Sequence, residues 1–300
     1  FINPMTTFPH SFVVGSKSVH CHGHPPIALE GAIQYSCNPY FCNTFRAFVD
    51  NNKFADSETG YNTWRAYQES FGIGNKIGVD LPHELKGMLP TTSFYDKYYG
   101  RHHWKASTIY SLGIGQGELG ITPLQMANVM CIIANKGYYY TPHIIKKIAG
   151  KTNTTRNLTT KHFTKISEIN FNVVQDGMQK VVEAGTARVA QFRQVVICGK
   201  TGTAQVFGRN PNGTAKSDTS WFASFAPAKN PRYAVVMMVS QGGFGASTSG
   251  VGVRHIYEYI FGTNGKTSVM PNGIPSTLPT IDTTKFGSFA KKTSTKPVKK

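Results

Sequence analysis

The most regular pattern of apolar and polar residues in the chain runs from Ile121 to Gly137. Apolar residues recur there every three or four positions, which is the spacing of one helix face. Thr122 suits an N-cap, Pro123 suits the first turn, and Gln125 completes a capping box with Thr122. The predicted buried stripe consists of Leu124, Ala127, Met130 and Ile133. We therefore predict a helix that begins at Thr122 and ends at Gly137.

A second helical pattern, from Ile27 to Asp50, is interrupted by the sequence SCNPYF, which begins at Ser36. Asn38 followed by Pro39 tends to end one helix, and a proline in a first turn favours the start of another. The pattern thus predicts two helices joined by a short break. Polar side chains at such a break can project into a cleft beside it.

Further along the chain the pattern changes to runs of β-branched residues. Val195–Phe207, Ser220–Ala226 and Tyr233–Ser240 are predicted as three successive strands, and their short links favour antiparallel pairing. Helical patterns flank these strands, from Phe171 to Val182 and from Gly250 to Gly262. The predicted fold class is α+β, with a helical lobe facing an antiparallel sheet that is flanked by helices.

Residues 1–262 are predicted to form one domain, and residues 263–300 a disordered tail rich in Lys, Ser, Thr and Pro. The formal net charge is +17, and the tail, with seven lysines and one aspartate, accounts for +6 of it. The remaining positive charge is spread over the domain without a compact Lys/Arg cluster, so we expect no nucleic acid partner. No apolar run approaches the roughly 20 residues of a membrane-spanning helix.

The sequence VICGKTGTAQVF, from Val196 to Phe207, places a lysine beside two threonines and a glycine on a predicted strand. Lys200 supplies positive charge for an anionic substrate, and the hydroxyls of Thr201 and Thr203 are donors for a carboxylate. Gly202 is expected to let a peptide backbone approach the strand and add to it. The backbone N–H of Thr203 is a candidate oxyanion donor. Together with a serine, these groups meet the needs of an acyl-transfer site.

Ser36 and Asn38, in the order Ser-x-Asn, precede Lys-Thr-Gly, which is the motif order of penicillin-interacting serine acyltransferases. Longer strings also follow the order of that family: AIQYSCNPYF, FGIGNKIGVDLPHELKGMLP, SLGIGQGELGITPLQMANVMCIIANKGYYYTPHI, VVEAGTA, CGKTGTAQ and SWFASFAPAKNPRYAVVMMV. Together they resemble the transpeptidase domain of class B penicillin-binding proteins, most of all the elongation-type branch, penicillin-binding protein 2. The resemblance covers Val19 to Gly262.

The resemblance implies a penicillin-binding, serine β-lactamase-like transpeptidase fold. It also implies a D,D-transpeptidase that cross-links peptidoglycan through a serine acyl-enzyme. Catalytic roles then fall on Ser36, Asn38 and Lys200, and substrate binding on Thr201, Gly202 and Thr203. The implied ligands are peptidoglycan stem peptides and β-lactam antibiotics, the implied partner is a membrane glycosyltransferase, and no cofactor is required. The full-length protein is expected in the bacterial cell envelope, anchored in the cytoplasmic membrane with this domain outside the cytoplasm.

The nucleophile of the family lies in a Ser-x-x-Lys motif ahead of Ser-x-Asn, and residues 1–35 contain no such spacing. The sequence SFAK, from Ser288 to Lys291, fits the spacing but lies in the predicted tail, so we assign it no role. We expect the nucleophile, the membrane anchor and the first part of the domain to precede Phe1. On that expectation the fold is N-terminally truncated and the fragment alone is inactive.

A group of cysteines and histidines lies close to the Ser-x-Asn motif. Cys21, His22 and His24 fall in the sequence CHGHPP, and Cys37 lies inside the motif itself. Thiolate and imidazole ligands suit zinc, and the resemblance extends to a metal site that some elongation-type relatives carry near the second motif. The candidate ligands are Cys21, His24 and Cys37. The alternative is an ordinary histidine-rich loop beside a buried cysteine.

Two other functions remain open on the sequence. A serine β-lactamase shares these motifs but needs a group for rapid deacylation, and the Glu-x-x-Leu-Asn string of the class A enzymes is absent from the chain. A catalytically inactive binding or scaffold fragment of the cell-wall machinery requires no nucleophile. A Ser-x-x-Lys motif upstream separates the enzyme from this second alternative.

Overall fold

The structure is a computed structural model that describes residues 3–21, 23–145, 158–192 and 194–262. The chain divides into two compact units, Phe1–His255 and Ile256–Lys300, and the described part of the second unit is the end of the last helix. The elements in chain order are β1 (Ser11–Val14), β2 (Lys17–His20), α1 (Leu29–Gln34), α2 (Asn38–Val49), α3 (Ser57–Ser70), α4 (Thr92–Tyr99), α5 (Pro123–Ala134), β3 (Tyr138–Tyr140), β4 (Lys161–Phe163), α6 (Ile169–Ala184), β5 (Cys198–Ala204), β6 (Thr219–Ala226), β7 (Tyr233–Val239) and α7 (Val251–Phe261).

The main sheet consists of β5, β6 and β7 in that order, and both pairings are antiparallel. This confirms the predicted antiparallel sheet; β5 and β7 are shorter than their sequence patterns, and β6 begins one residue earlier than predicted. β6 is the central strand, and its Phe222 and Phe225 are fully buried. β5 pairs with β6 alone among the described strands, so its other edge is free to accept a further strand.

The helical lobe is built on a cluster of buried aromatic residues. Tyr61 on α3 and Tyr95 on α4 pack edge to face, and both contact the ring of Trp104. Each polar tip has a partner: Tyr61 donates to the Pro90 carbonyl at 2.8 Å, Tyr95 to Glu118 at 3.1 Å, and Trp104 to Asp96 at 2.8 Å. Large aromatic rings stabilise a core when their polar atoms are satisfied in this way.

Helix α5 has the predicted capping box: the Thr122 hydroxyl accepts from the Gln125 N–H, and the Gln125 side chain accepts from the Thr122 N–H. Its buried face differs from the predicted stripe, because Leu124 and Ala127 are only half-buried. The buried residues are Gln125, Asn128, Met130, Ile132 and Ile133. The Gln125 amide nitrogen lies 2.9–3.0 Å from three carbonyl oxygens of the glycine-rich segment at 72–86. This polar anchor holds that irregular segment against α5.

Helix α2 packs against the first hairpin, β1–β2, and helix α1 packs against α6. Glu30 on α1 forms an ion pair with Lys180 on α6, and α6 in turn packs along β5. The turn between α1 and α2 is thereby held beside the free edge of the sheet. Across the described ranges, every helix is too short or too polar to span a bilayer.

Candidate active site

The Ser-x-Asn and Lys-Thr-Gly motifs lie in direct contact with each other. The Lys200 ammonium donates to the Ser36 hydroxyl at 2.7 Å, although the residues are 164 positions apart in the chain. The same ammonium donates to the Thr201 carbonyl at 2.9 Å and lies 3.5 Å from the Thr201 hydroxyl. The polar groups in contact at the site are therefore one cation, the Lys200 ammonium, and uncharged oxygen atoms around it.

Ser36 is presented by the break between α1 and α2. Helix α1 ends at Gln34, and Ser36 has φ of 54°, in the left-handed region. A non-glycine residue there carries strain of order 1–2 kcal/mol, which the surrounding contacts have to offset. Helix α2 begins at Asn38 with Pro39 in its first turn, as the sequence predicted. Because of this left-handed conformation Ser36 belongs to neither helix, and its hydroxyl contacts Lys200 on β5.

Burial lowers the pKa of Lys200 from 10.5 to about 8. The residue keeps some solvent contact along the cleft, but its ammonium group is enclosed. None of the ion pairs among the described residues includes Lys200, and burial is the cause of the shift. A pKa of about 8 leaves the ammonium form in about tenfold excess at pH 7. The site is therefore a cation without a counterion, which suits an anionic ligand.

The strand residues around Lys200 are held by three neighbours that the sequence motifs did not assign. The Thr201 hydroxyl lies 2.9 Å from the hydroxyl of Thr186, and the Thr203 carbonyl accepts from the Gln116 amide at 3.3 Å. The Thr203 hydroxyl accepts from the Gly245 N–H at 3.3 Å. Thr186 and Gln116 belong to strings that carry the family resemblance, EAGTA and GIGQG, but neither residue has a role in the sequence motifs.

Gly202 is opposite Trp221 in the β5–β6 register. A Cβ added at Gly202 would lie 3.1 Å from the Trp221 Cβ, which is closer than ordinary contacts. A side chain at this position would displace Trp221 by a few tenths of an ångström, so glycine fits the close packing on this face of the sheet. This adds a structural reason to the predicted role in substrate approach.

Asn38 is exposed at the first position of α2. Its side chain makes no hydrogen bond with Ser36, Lys200 or any other of the described residues. The structure therefore brings Ser36 and Lys200 together but leaves the Asn38 side chain exposed beside the Ser36 turn, where its amide is available to a ligand.

A cavity of about 560 Å³ separates β5 from the helical lobe. Its polar end is formed by Lys200, Thr201, Thr203 and Gln116. The apolar wall includes Ile33, Phe41, Met130, Ile133, Val174, Met178 and Trp221. The size and the mixture of an apolar wall with a few convergent polar groups are typical of a site for a small molecule or a short peptide.

Three potential metal ligands converge next to the Ser36 turn. One ligand atom each from His10, Cys21 and His24 lies within 4.8 Å of the others. The predicted set was Cys21, His24 and Cys37. His10 takes the third position, because the β1–β2 hairpin brings its ring to 3.3 Å from the Cys21 sulfur. Cys37 is not one of the three mutually close residues, and His22, which was also considered, lies outside the described residues.

Cys37 is nevertheless a neighbour of this cluster. Burial raises the pKa of the Cys37 thiol, and the adjacent Cys21 thiol raises it further. His24 donates through Nδ1 to the Pro25 carbonyl at 2.9 Å and stacks on the ring of Tyr35, beside Ser36. Its Nε2 is buried without a hydrogen-bond partner. All five cysteines of the chain are free thiols.

An edge strand with Lys-Thr-Gly that faces a Ser-x-Asn turn across a cleft is the arrangement of serine acyl-transfer domains that interact with penicillin. The sequence profile of the penicillin-binding protein transpeptidase domain matches residues 5–258. The chain belongs to this family.

Individual relatives agree with this assignment. The peptidoglycan D,D-transpeptidase MrdA of Acinetobacter baumannii is 31% identical over 83% of this chain and 37% of that protein. Penicillin-binding protein 2 of Pseudomonas aeruginosa, solved in complex with WCK 5153, is 27% identical with a TM-score of 0.73, over 91% of this chain and 57% of that chain. A chain from a peptidoglycan synthase complex that coordinates polymerization and crosslinking is 25% identical with a TM-score of 0.68, over 89% of this chain and 44% of that chain.

The predicted fold class and the predicted resemblance to penicillin-binding protein 2 are confirmed by these matches. The chain spans about a third of the length of the curated relative, as the 37% coverage shows.

Proposed function

We propose that this chain is the substrate-binding part of a peptidoglycan D,D-transpeptidase of the elongation type, with residues 1–262 as its transpeptidase portion and residues 263–300 as a tail. The observation that carries the proposal is the 2.7 Å contact between Lys200 and Ser36 beside the free edge of β5. The names of the MrdA and penicillin-binding protein 2 relatives support the same activity. The tail lies outside the described residues.

In the proposed reaction, a serine attacks the carbonyl carbon of the penultimate D-alanine of a stem peptide. The bond to the terminal D-alanine breaks, and the departing amine takes a proton. An amine of a neighbouring stem then attacks the acyl-enzyme ester, and the serine oxygen regains its proton. The attacking serine belongs to a Ser-x-x-Lys motif that the described residues do not contain. A serine nucleophile, a proton acceptor and hydrogen-bond donors account for every step, so the proposed reaction needs no cofactor.

The residues of this chain bind and orient the substrate in that reaction. The Lys200 ammonium and the hydroxyls of Thr201 and Thr203 bind the terminal carboxylate, and the Thr203 N–H stabilises the developing oxyanion. Ser36, hydrogen-bonded to Lys200, relays the proton toward the leaving amine, while Asn38 binds the peptide at the cleft mouth. β-Lactams fit the same groups because they present a carboxylate beside a reactive carbonyl.

The carboxylate requirement is testable with the 300-residue chain and Nα,Nε-diacetyl-L-lysyl-D-alanyl-D-alanine. The free acid should bind about tenfold more tightly than the C-terminal amide, because only the acid provides an anion for the unpaired Lys200. Calorimetric titration at pH 7 measures both constants. The matched peptide that ends in L-alanyl-L-alanine is the stereochemical control and should bind no better than the amide. Equal binding of the three peptides would remove the proposed substrate.

The partners and the location follow from the same reaction. Peptidoglycan lies outside the cytoplasmic membrane, so the proposed site of action is the outer side of that membrane, with an anchor elsewhere in the full protein. A membrane glycosyltransferase is the proposed partner, since cross-linking acts on newly polymerised strands. The similarity to a chain of a synthase complex that coordinates polymerization and crosslinking supports this partner.

We also propose a structural zinc site at His10, Cys21 and His24, with Cys37 as the fourth ligand. The residues fit the metal: His24 donates through Nδ1 to a carbonyl, which leaves the lone pair of its buried Nε2 without a partner. Two thiols and two imidazoles are a common tetrahedral set for zinc. Because Tyr35 stacks on His24, the metal would fix the turn that presents Ser36. Its role there is structural.

The zinc proposal predicts about one zinc ion per chain after purification with zinc, measured by elemental analysis. Cys21→Ser should lose it, and a strong chelator should lower the melting temperature of the unmodified chain by about 5–10 °C. Cys131→Ser on α5 is the matched control and should keep the metal. His10→Ala and Cys37→Ser test the remaining ligands separately. A metal-free chain whose melting temperature is unchanged by the chelator would exclude the site.

A further inference from the structure

The free edge of β5 is not empty at the position where a substrate should pair. The Thr203 carbonyl accepts a hydrogen bond from the side-chain amide of Gln116 at 3.3 Å. Gln116 and Thr203 both line the cavity between the sheet and the helical lobe. The Thr203 carbonyl therefore points away from β6 and into the cleft. In a strand the N–H and C=O of one residue point to the same side, so the Thr203 N–H faces the cleft as well.

This geometry determines what an extended ligand would have to do. In an antiparallel pair, two directly opposite residues can exchange both backbone hydrogen bonds. If the Thr203 N–H donates to the scissile carbonyl, the N–H of the same ligand residue donates to the Thr203 carbonyl. That residue is the penultimate D-alanine in the proposed reaction. In the ligand-free structure the side-chain amide of Gln116 takes the place of the second of these hydrogen bonds, because it donates to the Thr203 carbonyl.

We propose that Gln116 is a gate on the substrate strand: its amide takes the place of the ligand's backbone N–H and has to leave Thr203 before a peptide can pair there. The inference rests on the proposed function, because it uses the same edge of β5 for the peptide. Gln116 thereby satisfies a cleft carbonyl in the ligand-free protein and selects ligands that offer a donor N–H at this position.

The local backbone suits a side chain that moves. Gln116 lies between Gly115 and Gly117, whose φ angles are 74° and 73°, and both glycines are exposed. These left-handed conformations are accessible to glycine without strain. Open space surrounds the α-carbon of Gly115, since an added Cβ would meet nothing within 4 Å. The hydrogen bond between the Gln116 amide and the Thr203 carbonyl is long for an N–H···O bond. A well-aligned backbone N–H of a ligand would therefore make a stronger hydrogen bond to the same carbonyl.

The hydrogen bond is a competitor of the ligand, so its removal should tighten binding. Gln116→Ala should bind diacetyl-L-lysyl-D-alanyl-D-alanine about three- to tenfold more tightly than the unmodified chain, measured by calorimetric titration. Gln179→Ala is the matched control. Among the described residues the Gln179 amide bonds to Glu183 alone, on the exposed side of α6, so its loss should leave binding unchanged. The melting temperatures of all three proteins should agree.

A second ligand tests whether the Thr203 carbonyl is used. The depsipeptide in which an ester oxygen replaces the N–H of the penultimate residue should bind about tenfold more weakly than the amide to both proteins, because the carbonyl then faces no donor. If the depsipeptide binds as well as the amide, the gate is excluded. If Gln116→Ala binds the amide peptide equally or more weakly, Gln116 is not a competitor and the gate is again excluded, although carboxylate-dependent binding would leave the proposed function standing. If neither protein binds the peptide at millimolar concentration, the proposed function fails and the gate fails with it.

Discussion

Lys200→Met should weaken carboxylate-dependent peptide binding by about 10- to 150-fold, the range expected when a charged hydrogen bond is lost. The Lys200 ammonium is the cation at the polar end of the cavity, and no carboxylate among the described residues pairs with it. Methionine keeps much of the length of the side chain and removes the charge. Titration of the free-acid peptide and its amide should therefore give two similar, weak constants in the variant.

The same variant should not unfold more easily, and this separates a site residue from a packing residue. The pKa of Lys200 is lower in the folded chain, about 8, than its ordinary value of 10.5. Between pH 8 and pH 10.5 the unfolded state therefore binds more protons than the folded state. Below pH 8 the lysine is charged in both states, and the cost of burying its charge lowers the free energy of unfolding by its full amount. The stability of the unmodified chain relative to Lys200→Met should rise from pH 8 to pH 10.5, as urea unfolding would measure.

Lys229→Met is the matched control for this prediction. Lys229 is exposed in the turn between β6 and β7, so its loss changes the net charge by the same amount without touching the cleft. The control should bind the free acid as the unmodified chain does. Undiminished binding by Lys200→Met, or an equal loss in Lys229→Met, would contradict the assignment of Lys200 to the carboxylate.

The part of the site that sequence predicted well is the part that local chemistry determines. Pro39 after Asn38 marks a helix start, so the break that presents Ser36 was predictable from adjacent residues. The β-branched residues around Lys200 likewise predict a strand without reference to the rest of the chain. The contact between Ser36 and Lys200 could be predicted only from the order of the two motifs, because neither local pattern indicates which residues become neighbours in the fold.

The residues that sequence reasoning missed are brought to the site by non-local structure. His10 joins Cys21 through the β1–β2 hairpin, which the sequence patterns did not predict. Gln116 reaches Thr203 from an irregular glycine-containing segment that has no periodicity. On α5 the capping box was predicted, but the triple contact of the Gln125 amide with a distant loop was not. Such donors satisfy carbonyls that become neighbours only after the chain folds.

The 300-residue chain should take up no fluorescent penicillin covalently, although it contains the Lys-Thr-Gly strand. Its single Ser-x-x-Lys spacing is at Ser288–Lys291, which lies outside the described residues and after the other motifs. Gel fluorescence after incubation at pH 7 measures the label, and the heat-denatured chain gives the background. A nitrocefin assay on the same samples should show no hydrolysis, which addresses the β-lactamase alternative. A longer protein that adds a Ser-x-x-Lys segment before Phe1 should be labelled, and replacing the serine of that segment should abolish the label.

Ser36 is the residue most able to contradict this expectation, because Lys200 lies 2.7 Å from its hydroxyl. One feature argues against it as the nucleophile. The position three residues later is Pro39, so the partner that activates the serine in Ser-x-x-Lys is missing. In the proposed reaction Ser36 therefore relays a proton and does not attack the carbonyl carbon. Stable label mapped to Ser36 by mass spectrometry would overturn this division of roles, and label on Ser288 would give the tail a function.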